Sequence, residues 1–194
     1  MDRYLFEVLT YIEREGKKKY SIRELSDTIK ISGTTVKKCL EEAEEKNYIK
    51  KNEEEIAIAS EGLNALEPYR VKKAIVMAAG FGSRMMPATA DRPKPMVTVN
   101  GVRIIDTLLD AFVAVGITDI TIVRGYKKEC FEKLKEKYPF IKLKDNDIYN
   151  ETNNISSAML VLDEIDKCYL CESDLYITNP RVITKYQYCS NILG

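Results

Sequence analysis

The chain contains no histidine. That absence removes Ser-His-Asp and Cys-His nucleophilic machinery, His-ligated zinc and imidazole acid–base chemistry together. Any catalysis must rest on carboxylates, Lys, Arg, backbone amides or a bound metal ion. Net charge is missing too: 30 Lys+Arg cancel 30 Asp+Glu, so no whole-chain attraction draws nucleic acid or anionic membrane, and any such binding is local. No apolar run approaches the ~18 residues of a membrane span. The N-terminal MDRYLFEVLTYIEREGKKK alternates charged and apolar residues, unlike a signal peptide. There is no internal repeat and no low-complexity tract. Five cysteines (Cys39, Cys130, Cys168, Cys171, Cys189) are odd in number and scattered, as expected in a reducing compartment. The expectation is a cytoplasmic protein with no membrane partner. Cys168-x-x-Cys171 falls on a strand candidate, where the two side chains point to opposite faces; with no second pair, it reads as structural.

What is present suffices for one mid-sized domain or two small ones: 194 residues, 45% apolar. Residues 2–15 place Leu5, Phe6, Leu9 and Ile12 at helical spacing, and Gly16 with three lysines ends that element. Ser21 with Glu24 three residues on predicts a capping box, followed by Ile22, Leu25 and Ile29 on one face. After a break at Ser32-Gly33 a further helix carries Val36, Leu40 and Ala43. YIKKNEEEIAIASEG then reads as two strands joined by an acidic turn. The whole predicts a winged helix-turn-helix domain over residues 1–67.

The pattern changes at Glu67-Pro68-Tyr69-Arg70. Lys72-KAIVMAAG is the continuous apolar run of a parallel strand buried on both faces. A helix over 104–115 ends at Gly116, ITDITIVRGY follows as a second buried strand, and a helix is expected over roughly 127–137. A strand candidate at 140–144, an amphipathic helix from near Asn154 and the strand KCYLCES complete the pattern, which predicts a mostly parallel α/β sheet.

Ala78-Ala79-Gly80-Phe81-Gly82-Ser83-Arg84 directly follows the first buried strand, where an open α/β sheet places its ligands. Two glycines let the backbone approach a polyphosphate, exposed N–H groups donate, and Arg84 adds charged donors. A dinucleotide fingerprint fails, since Met85 stands where the third glycine belongs, and no Gly-Lys-Ser/Thr follows for a P-loop. Lys94 lies between Pro93 and Pro95, whose fixed φ restricts the lysine's own backbone.

MAAGFGSRMMPATADRPKPM resembles the signature of the nucleotidyltransferases that activate sugar phosphates and phosphocholine. Val123-Arg124-Gly125-Tyr126, the Asn153-Asn154-x-x-Ser157 segment and Glu172-Ser173-Asp174 resemble further segments of that family, so the likeness spans about residues 72–190 and is strongest for the bacterial phosphocholine cytidylyltransferases. It implies a Rossmann-like α/β nucleotidyltransferase domain over 72–194, transfer of a cytidylyl group from CTP to phosphocholine, and release of pyrophosphate. A sugar-1-phosphate nucleotidylyltransferase is the alternative within the family. In the implied roles, the loop amides of 78–84 and Arg84 hold the β- and γ-phosphates, Lys94 bridges the α-phosphate and the acceptor, and Asp174 binds Mg²⁺. Ala78, Ala79, Asn153, Asn154 and Ser157 lie at the nucleotide. The acceptor phosphate arrives ionised, so this chemistry needs no histidine base. Family members continue well past the first metal-binding aspartate, so a domain ending at Gly194 is expected to be C-terminally incomplete, binding CTP with poor turnover.

A reading of another class is a DNA-binding regulator with a nucleotide-sensing domain. Residues 1–70 carry 13 Lys+Arg against 15 Asp+Glu, and the wing Asn52-Glu53-Glu54-Glu55 is acidic, which disfavours DNA. The N-terminal domain is otherwise expected to serve homodimerisation or domain contact. A third reading is a degenerate transferase acting as a scaffold, separable by whether it binds nucleotide.

Overall fold

The computed structural model describes residues 1–53, 55–151 and 154–190, with Asn154 described by its backbone alone. The chain separates into two compact units, one formed by Met1–Arg70 with residues 186–190 and the other by Val71–Lys185.

The first unit is built on capped helices. In α1 (Arg3–Glu15) the Asp2 side chain accepts from the Tyr4 N–H, and Gly16 closes the helix at φ 77°. Ser21 caps α2 (Ile22–Ile29) by accepting from the Glu24 N–H, and Ser32 caps α3 (Gly33–Glu45) through the Thr35 N–H. The expected capping box is only half made, because the Glu24 carboxylate pairs with Lys18 at 3.0 Å. Ile22 is exposed rather than part of the buried face: it opens α2, and only Leu25 of that helix is fully covered. β1 (Ile49–Lys51) and β2 (Ile56–Ile58) form the antiparallel wing, which Lys18 extends by bridging to Ile56. A short α4 (Ser60–Leu66), absent from the sequence reading, follows. Leu5, Val8, Leu9, Ile12, Leu25, Val36 and Leu66 fill the core, and Tyr186 joins it. Beside it the rings of Phe6, Tyr69 and Tyr188 cluster, the two tyrosines stacked at 5.5 Å.

In the second unit, β3 (Lys73–Ala78) is the central strand. It leads through the hairpin β4 (Thr98–Val99) and β5 (Val102–Arg103) into α5 (Ile104–Ala114), then to β6 (Asp119–Arg124), β7 (Lys142–Asp145), α6 (Asn154–Met159) and β8 (Cys168–Glu172). All pairings in the main sheet are parallel, in the order β7-β6-β3-β8. The order dictates the packing. Right-handed crossovers running from β3 outward to β6 and β7 lie on one face, while the return past β3 to β8 crosses the other. Accordingly, Leu108, Leu109 and Phe112 of α5 and Phe131 and Leu134 pack on Ala74, Val76 and Ile122, whereas Ala158 and Val161 pack on Ile75, Met77 and Val123. Cys171 joins the first cluster and Cys168 the second, so the pair does point to opposite faces. Burial pushes the Cys171 thiol up to about 11.

The segment expected as a helix over 127–137 is a 3₁₀ run, Lys128–Glu136. Lys127 stands in the left-handed region, and the Lys128 carbonyl, which an α-helix would give to residue 132, accepts from Arg124 at 3.1 Å.

Candidate functional site

In a parallel sheet the strands' carboxyl ends open a crevice where successive crossovers leave on opposite faces. Here that point lies between β3 and β8, and a cleft of about 160 Å³ opens there, lined by residues 77–80, Gly82, Arg84, Lys94, Ser157 and 172–174. Ala78, Ala79, Gly80, Gly82, Arg84, Lys94, Ser157 and Asp174 are thus brought together. Ser83 and Phe81 belong to the same loop, with the exposed Phe81 ring resting 5.4 Å from Tyr126 and 5.1 Å from Tyr149. Asn153 lies outside the described residues, and Asn154 contributes only the backbone start of α6.

The loop after β3 leaves its donors free. The N–H groups of Gly80, Phe81, Gly82, Ser83 and Arg84 donate to no acceptor among the described residues. Five successive unsatisfied amides form a concavity with a positive lining, suited to an anion. Gly82 sits at φ +63°, and a Cβ there would crowd Lys94 Cβ at 3.0 Å and Thr89 Cγ2 at 3.2 Å. Around Gly80 a Cβ would meet nothing within 4 Å, so no intramolecular contact requires that glycine. Its bare backbone suits the close approach of a ligand instead.

Charge follows the same plan. Arg84, in the 3₁₀ turn Ser83–Met85, is exposed and has no ion-pair partner among the described residues. Lys94 opens the turn Lys94–Met96, where Pro93 and Pro95 are buried and the Met96 and Val97 N–H groups close back onto residues 93 and 94. The lysine backbone is held from both sides, and its Nζ reaches Asp174 Oδ2 at 2.6 Å, across 80 residues of sequence. Asp174 stands two residues past the last paired residue of β8, Glu172, which is how the register of β3 with β8 sets its carboxylate opposite the phosphate loop.

Ser157 is buried at the cleft wall. Its Oγ accepts from Asn146 Nδ2 at 2.9 Å, and Asn146 is fixed in that orientation because its Oδ1 accepts from the Ile148 N–H. The Ser157 hydroxyl proton has no acceptor among the described residues. Asn146 was missed in the sequence reading; a polar residue three-quarters of the way along the chain, 2% exposed, carries no local mark of its role.

Carboxylate oxygens are the donor chemistry of a hard divalent cation. At the cleft these oxygens come from Glu172 and Asp174, a donor set compatible with such an ion; among the described residues no group of three His, Cys, Asp or Glu side chains gathers. None of the described helices is long and apolar enough to cross a membrane.

A family model described as nucleotidyl transferase matches residues 73–170, and one described as winged helix-turn-helix DNA-binding matches residues 1–50. The chain is 43% identical over 111 residues to a 2-aminoethylphosphonate cytidylyltransferase of Lancefieldella rimae, covering 56% of this chain and 45% of the relative. It is 42% identical over 105 residues to a choline-phosphate cytidylyltransferase of Streptococcus pneumoniae, covering 54% and 45%. A solved structure of the CTP:phosphocholine cytidylyltransferase of Streptococcus pneumoniae superposes with a TM-score of 0.55 and 40% identity, over 57% of this chain and 48% of that one. The chain spans about half the length of the curated relatives it matches.

Proposed function

Because the chain belongs to the nucleotidyl transferase family, we propose that its cleft binds CTP and that the protein transfers the cytidylyl group to a small phosphate monoester or a phosphonate, phosphocholine foremost. The observation that carries this reading is the run of five unpartnered amides at 80–84, beside an unpaired Arg84. Such a loop serves the β- and γ-phosphates. The cytidylyl and phosphocholine assignments draw on the names of the relatives.

An acceptor oxygen attacks the α-phosphorus, the bond to the β-phosphate oxygen breaks, and pyrophosphate leaves with the electron pair. The nucleophile is an anion already, so the protein contributes positioning and charge neutralisation. The amides of 80–84 and Arg84 orient the leaving pyrophosphate. Lys94, pinned between two prolines, exchanges its contact with Asp174 for the α-phosphate and the incoming phosphate, holding two anions in line. Asp174, with Glu172 also at the cleft, would hold Mg²⁺, which supplies neutralisation of charge on the leaving group. Ser157 donates its free proton toward the nucleotide.

The test is calorimetric titration of CTP and UTP in the presence of Mg²⁺, followed by pyrophosphate release with phosphocholine, 2-aminoethylphosphonate and glucose-1-phosphate. CTP binding preferred over UTP, with turnover on phosphocholine or the aminophosphonate, is the expected result. Absence of CTP binding overturns the reading of the cleft, and turnover only with the hexose phosphate moves the protein to the sugar-1-phosphate branch.

A further inference from the structure

We propose that Tyr126 is a positioning residue that sets the span of the phosphate loop without touching the ligand. The proposal rests on the reading of the cleft as a triphosphate site. The loop leaves β3 at Ala79 and turns back through Thr89 and Ala90, and one residue from the neighbouring strand's end holds both limbs. The Tyr126 N–H donates to the Ala79 carbonyl at 3.0 Å, and its hydroxyl donates to the Thr89 carbonyl at 3.2 Å, with the Ala90 carbonyl 3.4 Å away. Thr89, fully buried, donates its own hydroxyl to the Gly82 carbonyl at 3.0 Å.

A closed circuit results, from residue 79 through Tyr126 and Thr89 to residue 82. It encloses Gly80 and Phe81, the first of the free amides. The 3₁₀ turn Ser83–Met85 orders the second half of the loop through its own backbone bonds, but no bond within the loop holds Gly80 and Phe81; the circuit does so from outside. The strut is itself braced. Gly125 has no space for a side chain, since a Cβ would lie 2.6 Å from Tyr149 Cγ and 2.8 Å from the Ala79 carbonyl oxygen. Arg124, immediately before it, is tied to Asp145, Glu132 and the Lys128 carbonyl at 2.6, 2.6 and 3.1 Å. The Tyr126 hydroxyl spends its proton on backbone carbonyls, which is why it acts through the loop and not on the nucleotide.

Tyr126→Phe keeps the ring, its contact with Phe81 and the backbone bond, and removes only the hydroxyl. Loss of one neutral hydrogen bond corresponds to about 3- to 10-fold in affinity. CTP and inorganic triphosphate should both weaken by the same factor in that range, with an unchanged melting temperature, and trypsin should cut after Arg84 several-fold faster in the variant without ligand. Equal affinities and equal cleavage rates in parent and variant would overturn the proposal. So would a loss for CTP with none for inorganic triphosphate, since the effect would then lie at the base. Failure of the parent to bind CTP overturns the function proposed above instead, and the cleavage comparison still decides the role of Tyr126.

Discussion

Two arginines stand near the carboxyl edge of the sheet in opposite surroundings. Arg124, on β6, is 12% exposed in its side chain, and its Nε and Nη1 donate to two carboxylates and a carbonyl. Arg84, on the loop after β3, is exposed and has no partner among the described residues. The difference separates structure from function: a guanidinium engaged internally by carboxylates holds strand ends together, and one that faces only solvent is available to a ligand.

Substituting each arginine tests the contrast. Arg84→Ala should weaken CTP by roughly 10- to 100-fold, about 1.5–3 kcal/mol for a charge-assisted contact, while the denaturant midpoint stays at the parent's value. Comparable CTP affinity in the variant would put Arg84 outside the site. For Arg124→Met the order reverses, and unfolding should show a loss of about 1–2 kcal/mol, reduced from a fully buried pair by the exposure of Glu132 and Asp145. Nucleotide affinity should fall less than in Arg84→Ala.

A smaller effect is expected in acid. Hydrogen bonds from Arg124, then Lys128, hold Asp145 below its ordinary 3.8, and Arg124, then Lys135, hold Glu132 below its ordinary 4.5. A carboxylate with a depressed folded-state value contributes stability above its unfolded value and loses it as pH falls through the folded one. Parent and Arg124→Met should therefore differ most near neutrality and converge as pH falls below about 4, followed by urea melts at stepped pH. A gap that stays constant to pH 2 would show that Arg124 acts by packing alone.

The smallest response should come from duplex DNA. The exposed face of α3 offers Lys37 and Lys38 but also Glu41, Glu44 and Glu45, and Lys37 lies 3.8 Å from Glu41. Anisotropy near physiological salt is expected to show weak binding without sequence preference, and specific affinity near 10⁻⁸ M would defeat the charge reasoning.

Local chemistry was legible in the sequence and long-range chemistry was not. The buried strand, the Gly80–Gly82 loop and the proline-flanked Lys94 announce themselves within twenty residues, because backbone restriction and apolar runs are properties of neighbours. The turn of the β4–β5 hairpin was equally available: Asn100 and Gly101 take φ 50° and 82°, as an Asn-Gly turn should, yet it went unread. By contrast, Tyr126 finds Thr89 37 residues away and Arg124 finds Asp145 21 residues away. Nothing in spacing specifies such pairs; the strand order does.

The N-terminal unit owes part of its interior to the far end of the sequence. Tyr186 is buried in it, the Gln187 N–H donates to the Tyr69 carbonyl at 2.9 Å, and Tyr188 lies against Phe6 and Tyr69. During synthesis, residues 1–70 leave the ribosome long before those tyrosines exist. At bacterial-type elongation rates the intervening stretch takes on the order of ten seconds. For that interval Phe6 and Tyr69 have each other's rings but not that of Tyr188, and a unit made before the sheet is completed after it.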